Sequence, residues 1–154
     1  MDIPIAFSVF TKPWKMPIPE LARFVRGLGF DGIELPVRPG YPVLPENVGR
    51  DLPRAAQELA AHGLKIFSVA GPADEATIAA CAEAGVPIIR IMVTIGPEGY
   101  LATEAATQRW LDSLVPLLER YGVTVGVQNH CDRFIANASG LRRLIEKYER
   151  KHVA

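Results

Sequence analysis

Residues 28–35 read LGFDGIEL. An apolar-periodic run, Ile18, Leu21, Ala22, Val25 and Leu28, stops at Gly29, and the chain turns at once into a short segment built on Ile33 and Leu35. Glycine tolerates the left-handed conformation that ends a helix, and the run after it is too short for another helix. The stretch therefore reads as helix, turn and buried parallel strand. The same signature returns as HGLKIFSVA at 62–70, AGVPIIRIM at 84–92 and YGVTVGVQ at 121–128. The spacing between the four glycines is uneven, which makes this a recurring supersecondary unit rather than a sequence repeat.

Working outward, the opening run 5–10 supplies a first strand, followed by strands at 32–35, 65–69, 88–92 and 124–128. Five helices alternate with them. Leu52, Ala55, Ala56, Leu59 and Ala60 mark the second, and Asp74 caps a short Ala-rich third with Glu75 in its first turn. The fourth runs from about Thr103 to Tyr121 with Trp110, Leu111, Leu114, Val115 and Leu118 apolar, and a kink is expected at Pro116. Ser139 is expected to cap the last, with Leu141, Leu144, Ile145 and Tyr148 inward. The fold class is α/β, a single domain over 1–154.

The composition narrows the function. Of 154 residues 49% are apolar and 22% charged, so a real core is available. Lys plus Arg and Asp plus Glu each number 17, and this balance speaks against a nucleic-acid footprint. No stretch supplies 18 apolar residues in a row, so no membrane partner is expected. The start MDIPIAFSVF carries Asp2 instead of a basic leader, so the expected location is cytoplasmic, with Cys81 and Cys131 as free thiols. Glycine-rich nucleotide, Walker, HExxH and GxSxG patterns are absent from the sequence, and no nucleotide cofactor is expected.

Loops at the C-terminal ends of parallel strands carry binding groups. Here those loops are FTKPWKMP, PVRPGYPVLPEN, AGPADE, VTIGPEGYLAT and NHCDRFIANA, which hold most of the aromatic and polar singletons. Period-2 alternation puts Gly32 and Glu34, Ile88, Arg90 and Met92, and Thr124, Gly126 and Gln128 on the inner face. Glu34, Arg90 and Gln128 converge near the rim, Asn129 and His130 follow, and Lys12, Trp14 and Arg38 sit on neighbouring loops. A carboxylate, guanidinium, amide and imidazole so placed suit a polyhydroxylated or anionic small molecule and proton transfer. The plainer reading of Glu34 is an internal salt bridge to Arg90 or Arg38. Trp14 otherwise closes one end of the core, Trp110 reads as packing, and His62 and His152 as surface residues. Asp132 beside His130 makes only two metal ligands in one turn, fewer than a divalent ion needs.

Together, FSVFTKPW, GFDGIELPVRPG at 29–40, GLKIFSVAG, GVTVGVQNH at 122–130 and the following SGLRRLIEKY resemble the xylose isomerase-like TIM barrels, a group of sugar isomerases and epimerases that also resembles type IV apurinic endonucleases. The resemblance implies an incomplete (β/α) TIM barrel with about five parallel βα units. It also implies aldose–ketose isomerisation or epimerisation of a small sugar or sugar acid, with Glu34 and His130 as catalytic groups and Lys12, Trp14, Arg38, Arg90 and Asn129 around the substrate. The family's divalent ion, Mn²⁺ or Mg²⁺, is held by acidic residues and a His ending its fifth to eighth strands. Gln128 stands where the family's fifth strand carries Glu, a weak neutral ligand, and the other ligands fall beyond this sequence.

An eight-stranded barrel of about 250 residues has no sheet edges. Five strands leave the first and fifth as edges, so the expectation is a homo-oligomer or a separately supplied C-terminal half. Two other readings accompany the isomerase: a non-catalytic ligand-binding or assembly module, and an apurinic endonuclease, the latter disfavoured by the charge balance.

Overall fold

The computed structural model describes residues 5–154. Five parallel strands, β1 (Ser8–Phe10), β2 (Gly32–Pro36), β3 (Lys65–Ala70), β4 (Ile88–Ile91) and β5 (Thr124–Val127), pair in the order of the chain. Each is followed by a helix: α1 (Ile18–Gly27), α2 (Val48–Ala61, entered through a 3₁₀ turn at Pro45–Asn47), α3 (Glu75–Glu83), α4 (Tyr100–Tyr121) and α5 (Ala138–Ile145). Successive helices pack on one another. This is an α/β fold, an incomplete (β/α) barrel of five units.

The core lies between the helices and the outer face of the sheet. Ile33 and Leu35, Val69, Ile89 and Ile91, and Val125 and Val127 are buried there with Leu21, Val25, Leu52, Leu59, Ile78, Leu111 and Leu118. Gly29, Gly63, Gly85 and Gly122 all take positive φ at the helix-to-strand turns, as the recurring signature requires. Gly32 is constrained differently: a Cβ there would stand 2.3 Å from the Lys65 carbonyl and 2.5 Å from the Phe67 ring.

Several local expectations are corrected. The first strand begins at Ser8, not at 5. Leu28 falls in the turn after α1 and is exposed, not buried with the rest of its stripe. The last helix is capped by Asn137, whose side chain accepts from the Gly140 N–H at 2.8 Å; Ser139 already lies inside the helix. Helix α4 starts at Tyr100 and continues through Pro116. Proline removes the donor that would pair with the Asp112 carbonyl, but Asp112 and Pro116 are both exposed, so water can serve that carbonyl.

The edge of β5 is not open either. The Val125 N–H donates to the His152 carbonyl (2.8 Å), and Ala154 and Val127 continue the ladder at 3.0 and 2.7 Å, forming a parallel bridge between Val125 and Val153. Donation from the His152 and Val153 N–H groups to the Glu149 carbonyl turns the tail back onto the sheet. This buries His152, read from sequence as a surface residue, to 7% exposure against Glu119. Lys151 and then His152 hold the Glu119 carboxyl below the usual carboxylate range.

Gly32→Ala is expected to destabilise the chain by about 1–3 kcal/mol in urea unfolding, because the obstacle is backbone and ring. Gly49→Ala, in α2 with open space around it, should be neutral or stabilising by about 0.5–1 kcal/mol. The two thiols should separate cleanly. Burial pushes the Cys81 thiol up to about 12, whereas Cys131 is exposed. A thiol reagent at pH 8 should therefore titrate one group in the native protein and two after denaturation.

Candidate functional site

The register of the sheet lines up the inner face. Phe10 stands opposite Glu34, Glu34 opposite Ser68, and Arg90 opposite both Ala70 and Gly126. Arg90 closes on Glu34 with Nη2 at 2.5 Å and Nε at 3.2 Å from Oε1, while the Ser68 hydroxyl donates to Oε2 at 2.8 Å. The two charged side chains are only 14% and 18% exposed. The Arg90 guanidinium also lies over the Phe10 ring, 4.8 Å from its centroid, a cation–π contact that further fixes its plane.

Two loops fold tightly above this pair. The Arg38 carbonyl accepts from the Tyr41 N–H at 3.2 Å and the Arg38 N–H donates to the Val43 carbonyl at 3.2 Å, which makes 38–43 a closed turn through Gly40 at φ 79°. The Tyr41 hydroxyl donates to the Lys12 carbonyl at 3.1 Å and ties the first loop to the second. Val37 comes so near Gly71 that a Cβ there would be 2.8 Å from the valine side chain. On the other side the Ile95 N–H donates to the Arg133 carbonyl (2.7 Å) and Thr94 bridges Phe134, so the loop after β5 is braced against the loop after β4.

Between these loops opens a cleft of about 830 Å³ over the C-terminal ends of β2, β3 and β4. Arg38, Arg90, Asp74, Thr94, Thr107 and Trp110 contribute its polar and aromatic walls. A cleft at this end of parallel strands, with polar groups converging in it, has the form of a small-molecule site.

The residues expected at the mouth are not all gathered there. Glu34 and Arg90 pair directly, and Arg38 also approaches Phe10, its guanidinium 5.9 Å from the ring centroid. Lys12 is exposed and meets the site only through its backbone. Trp14 is half-buried and packs edge-on against Phe24 of α1 at 4.9 Å. Gln128 is exposed, held by its N–H to the Ile91 carbonyl at 2.9 Å, and Asn129 and His130 are exposed beyond it. The His130 ring stands edge-on to Phe134 at 5.1 Å, with Nδ1 3.5 Å from Cys131 Sγ.

A divalent ion does not fit this donor set. No group of three His, Cys, Asp or Glu side chains comes together among the described residues, and Glu34 already takes hydrogen bonds on both oxygens from Arg90 and Ser68. Gln128 offers one neutral oxygen, short of what Mg²⁺ or Mn²⁺ wants.

Three participants escape a reading by residue pattern. Ser68 reaches Glu34 because the β2–β3 register shifts between Ile33 and Glu34, pairing Ile66 and then Ser68 with consecutive residues of β2. Simple alternation puts Phe67 opposite Glu34 in its place, whereas the Phe67 ring lies against Gly32. Phe10 was within the first strand, and its position beside Arg90 follows once β1 is placed against β2. Trp110, expected in the core, is 40% exposed and forms a cleft wall.

A family model described as xylose isomerase-like TIM barrel matches residues 22–154. No curated protein matches the chain. Among solved structures, D-psicose 3-epimerase in the presence of D-fructose superposes with a TM-score of 0.72 at 12% identity, covering 97% of this chain and 62% of that one. The 3-keto-D-glucoside 4-epimerase YcjR from E. coli gives 0.72 at 20%, covering 97% and 66%. A putative xylose isomerase from Rhodospirillum rubrum gives 0.72 at 17%, covering 97% and 64%. At these identities the likeness is one of fold, and the chain spans less than two thirds of each of these three.

The Glu34–Arg90 pair is a separate test of the site's construction. Glu34→Gln or Arg90→Met alone leaves one mostly buried charge without its partner and should cost about 2–3 kcal/mol in chemical denaturation. The double variant should cost clearly less than the sum, with the difference read from the double-mutant cycle.

Proposed function

The chain belongs to the xylose isomerase-like TIM barrel family, and from that membership we propose that its mouth binds a small sugar or sugar acid as part of an isomerase or epimerase site. The observation that carries the reading is the Glu34–Arg90–Ser68 cluster, set at the strand ends under a cleft walled by Trp110. Sugar recognition needs many hydrogen-bonding groups on a fixed frame and a flat apolar surface for a ring face, and the cleft offers both.

In this proposal Glu34 is the acid–base group. Its Oε2 is shared between the Ser68 hydroxyl and a long Arg90 contact at 3.4 Å, so this oxygen is the one that can exchange a partner for a substrate proton. Arg90 stays on Oε1 and holds the carboxylate plane. Ser68 is a donor that can pass to a substrate oxygen when Oε2 changes partner. His130 and Asn129 close the site from the loop after β5, and Lys12, Trp14 and Arg38 border the substrate. A divalent ion supplies polarisation of vicinal oxygens in such chemistry. The described donors hold no complete ion site, so Mn²⁺ or Mg²⁺ dependence requires ligands additional to Gln128, from a C-terminal half or another copy of the chain. A cytoplasmic location belongs to the same proposal.

Gln128 favours one second reading, a ligand-binding or assembly module without catalysis. A neutral amide at the strand end keeps a sugar contact and gives up the charge that holds a metal. An apurinic endonuclease is the weaker fit, since the chain has 17 basic and 17 acidic residues and no excess positive charge for a phosphate backbone.

Titration with D-fructose and D-tagatose, followed by tryptophan emission, tests the mouth. Saturable quenching is expected in the wild type and reduced in Trp110→Phe, where Trp14 alone reports, with about tenfold weaker binding in Glu34→Gln by calorimetry. Calorimetric silence toward every sugar would remove the reading. Wash-in of solvent deuterium at the carbon beside the carbonyl marks an isomerase; sugar binding with no wash-in marks the module.

A further inference from the structure

We propose that the ligand of this cleft carries a carboxylate, bound by Arg38, so that the substrate class is a sugar acid and not a neutral sugar; this rests on the sugar-binding reading above. The argument begins with charge. Three charged side chains line the cleft, Arg38, Arg90 and Asp74, and Glu34 joins the account as the partner of Arg90. Arg90 and Glu34 neutralise each other in a two-nitrogen contact. Asp74 is engaged at the start of α3, where its carboxylate accepts from the Thr77 N–H at 2.8 Å and faces the positive end of the helix.

Arg38 is left over. It is half-buried, and among the described residues no carboxylate lies within ion-pair distance of it. Its side chain makes two contacts, both weak: Nε to the Ala70 carbonyl at 3.4 Å, and a stacking distance of 5.9 Å to the Phe10 ring. Those values sit at the outer limits for a hydrogen bond and a cation–π contact. Among the described residues the two Nη groups have no acceptor, and they belong to a side chain that lines the cleft.

A half-buried guanidinium on the wall of an open cleft keeps these donors on water, which an anionic ligand can displace. Its donors form a planar fork that matches a carboxylate with two parallel hydrogen bonds. The turn through 38–43 sets the backbone from which the fork projects, so less ordering is required when the ligand arrives. One unpaired positive charge suits one negative charge. A phosphate dianion would bring a second, for which the charged residues of the cleft wall offer no second unpaired cation, Arg90 being held by Glu34.

Calorimetry with D-glucuronate, D-glucose and D-glucose 6-phosphate tests this on the chain as it stands. Expected is D-glucuronate at least tenfold tighter than D-glucose, with the advantage shrinking from low to 0.5 M salt, on the order of the screening of one charge pair. In Arg38→Gln the D-glucuronate affinity should fall about tenfold or more and its advantage over D-glucose should be lost, and Arg38→Lys should recover only part, since it keeps the charge and loses the fork. The salt series on the wild type decides even where a variant fails to fold. Equal affinity for D-glucuronate and D-glucose overturns the carboxylate assignment and leaves the sugar reading intact. Tighter binding of D-glucose 6-phosphate than of D-glucuronate overturns it in favour of a phosphorylated sugar. Failure of all three to bind removes the sugar reading together with it.

Discussion

A parallel sheet must be covered on both faces, because its strands are apolar toward the helices and its backbone cannot be left half-solvated. In this chain the outer face meets that demand with a continuous core from α1 to α5. The inner face is solved otherwise, by placing polar side chains that satisfy one another: Glu34 from β2, Ser68 from β3 and Arg90 from β4, with Phe10 from β1 beneath the guanidinium. Four adjacent strands are thus linked on the side away from the helices. Because the linkage is a charge pair in a mostly desolvated place, it requires good geometry, and the register of the sheet supplies it.

Much of this was readable in advance because the signals were local. Gly29, Gly63, Gly85 and Gly122 each end a helix in the left-handed region, and that preference belongs to glycine itself. The five strands and the placing of Glu34 and Arg90 on one face follow from periods of 3.6 and 2, whereas the choice of Arg90 over Arg38 as the partner of Glu34 does not. What stayed hidden depended on non-local placement. The shift beside Ile33 and Glu34 moves Ser68 inward, and nothing in KIFSVA announces it. Trp110 has an apolar side chain at a helical position compatible with the core, yet whether it is covered depends on how far the loop after β3 extends over α4. His152 is buried because a turn at Glu149 returns the tail to β5, a contact between segments separated by a whole helix.

The same separation runs through the mouth. Arg38, Arg90 and Glu34 are placed by β2, β4 and a tight turn, so their positions are set by backbone hydrogen bonds. Gln128 is held at the end of β5 by its N–H on the Ile91 carbonyl, and Asn129 and His130 follow on a loop braced by the Thr94–Phe134 bridge and its flanking bonds. Rigid elements hold groups to the tolerance that chemistry needs, whereas loops supply groups that move to meet a ligand.

The distribution of charge then explains why pairing Glu34 with Arg90 is compatible with a function for the cleft. Were Glu34 unpaired, its carboxylate would repel an anionic ligand and compete for the Arg38 fork. Held by Arg90 and Ser68, it leaves Arg38 with the unbalanced positive charge near the strand ends, while Asp74 is turned to its helix. Neutral Gln128 on the far side adds no negative charge to oppose it. Arg38 contributes no ion pair to the fold among the described residues, so in the proposed reading the groups that stabilise the sheet are separate from the group that selects the ligand.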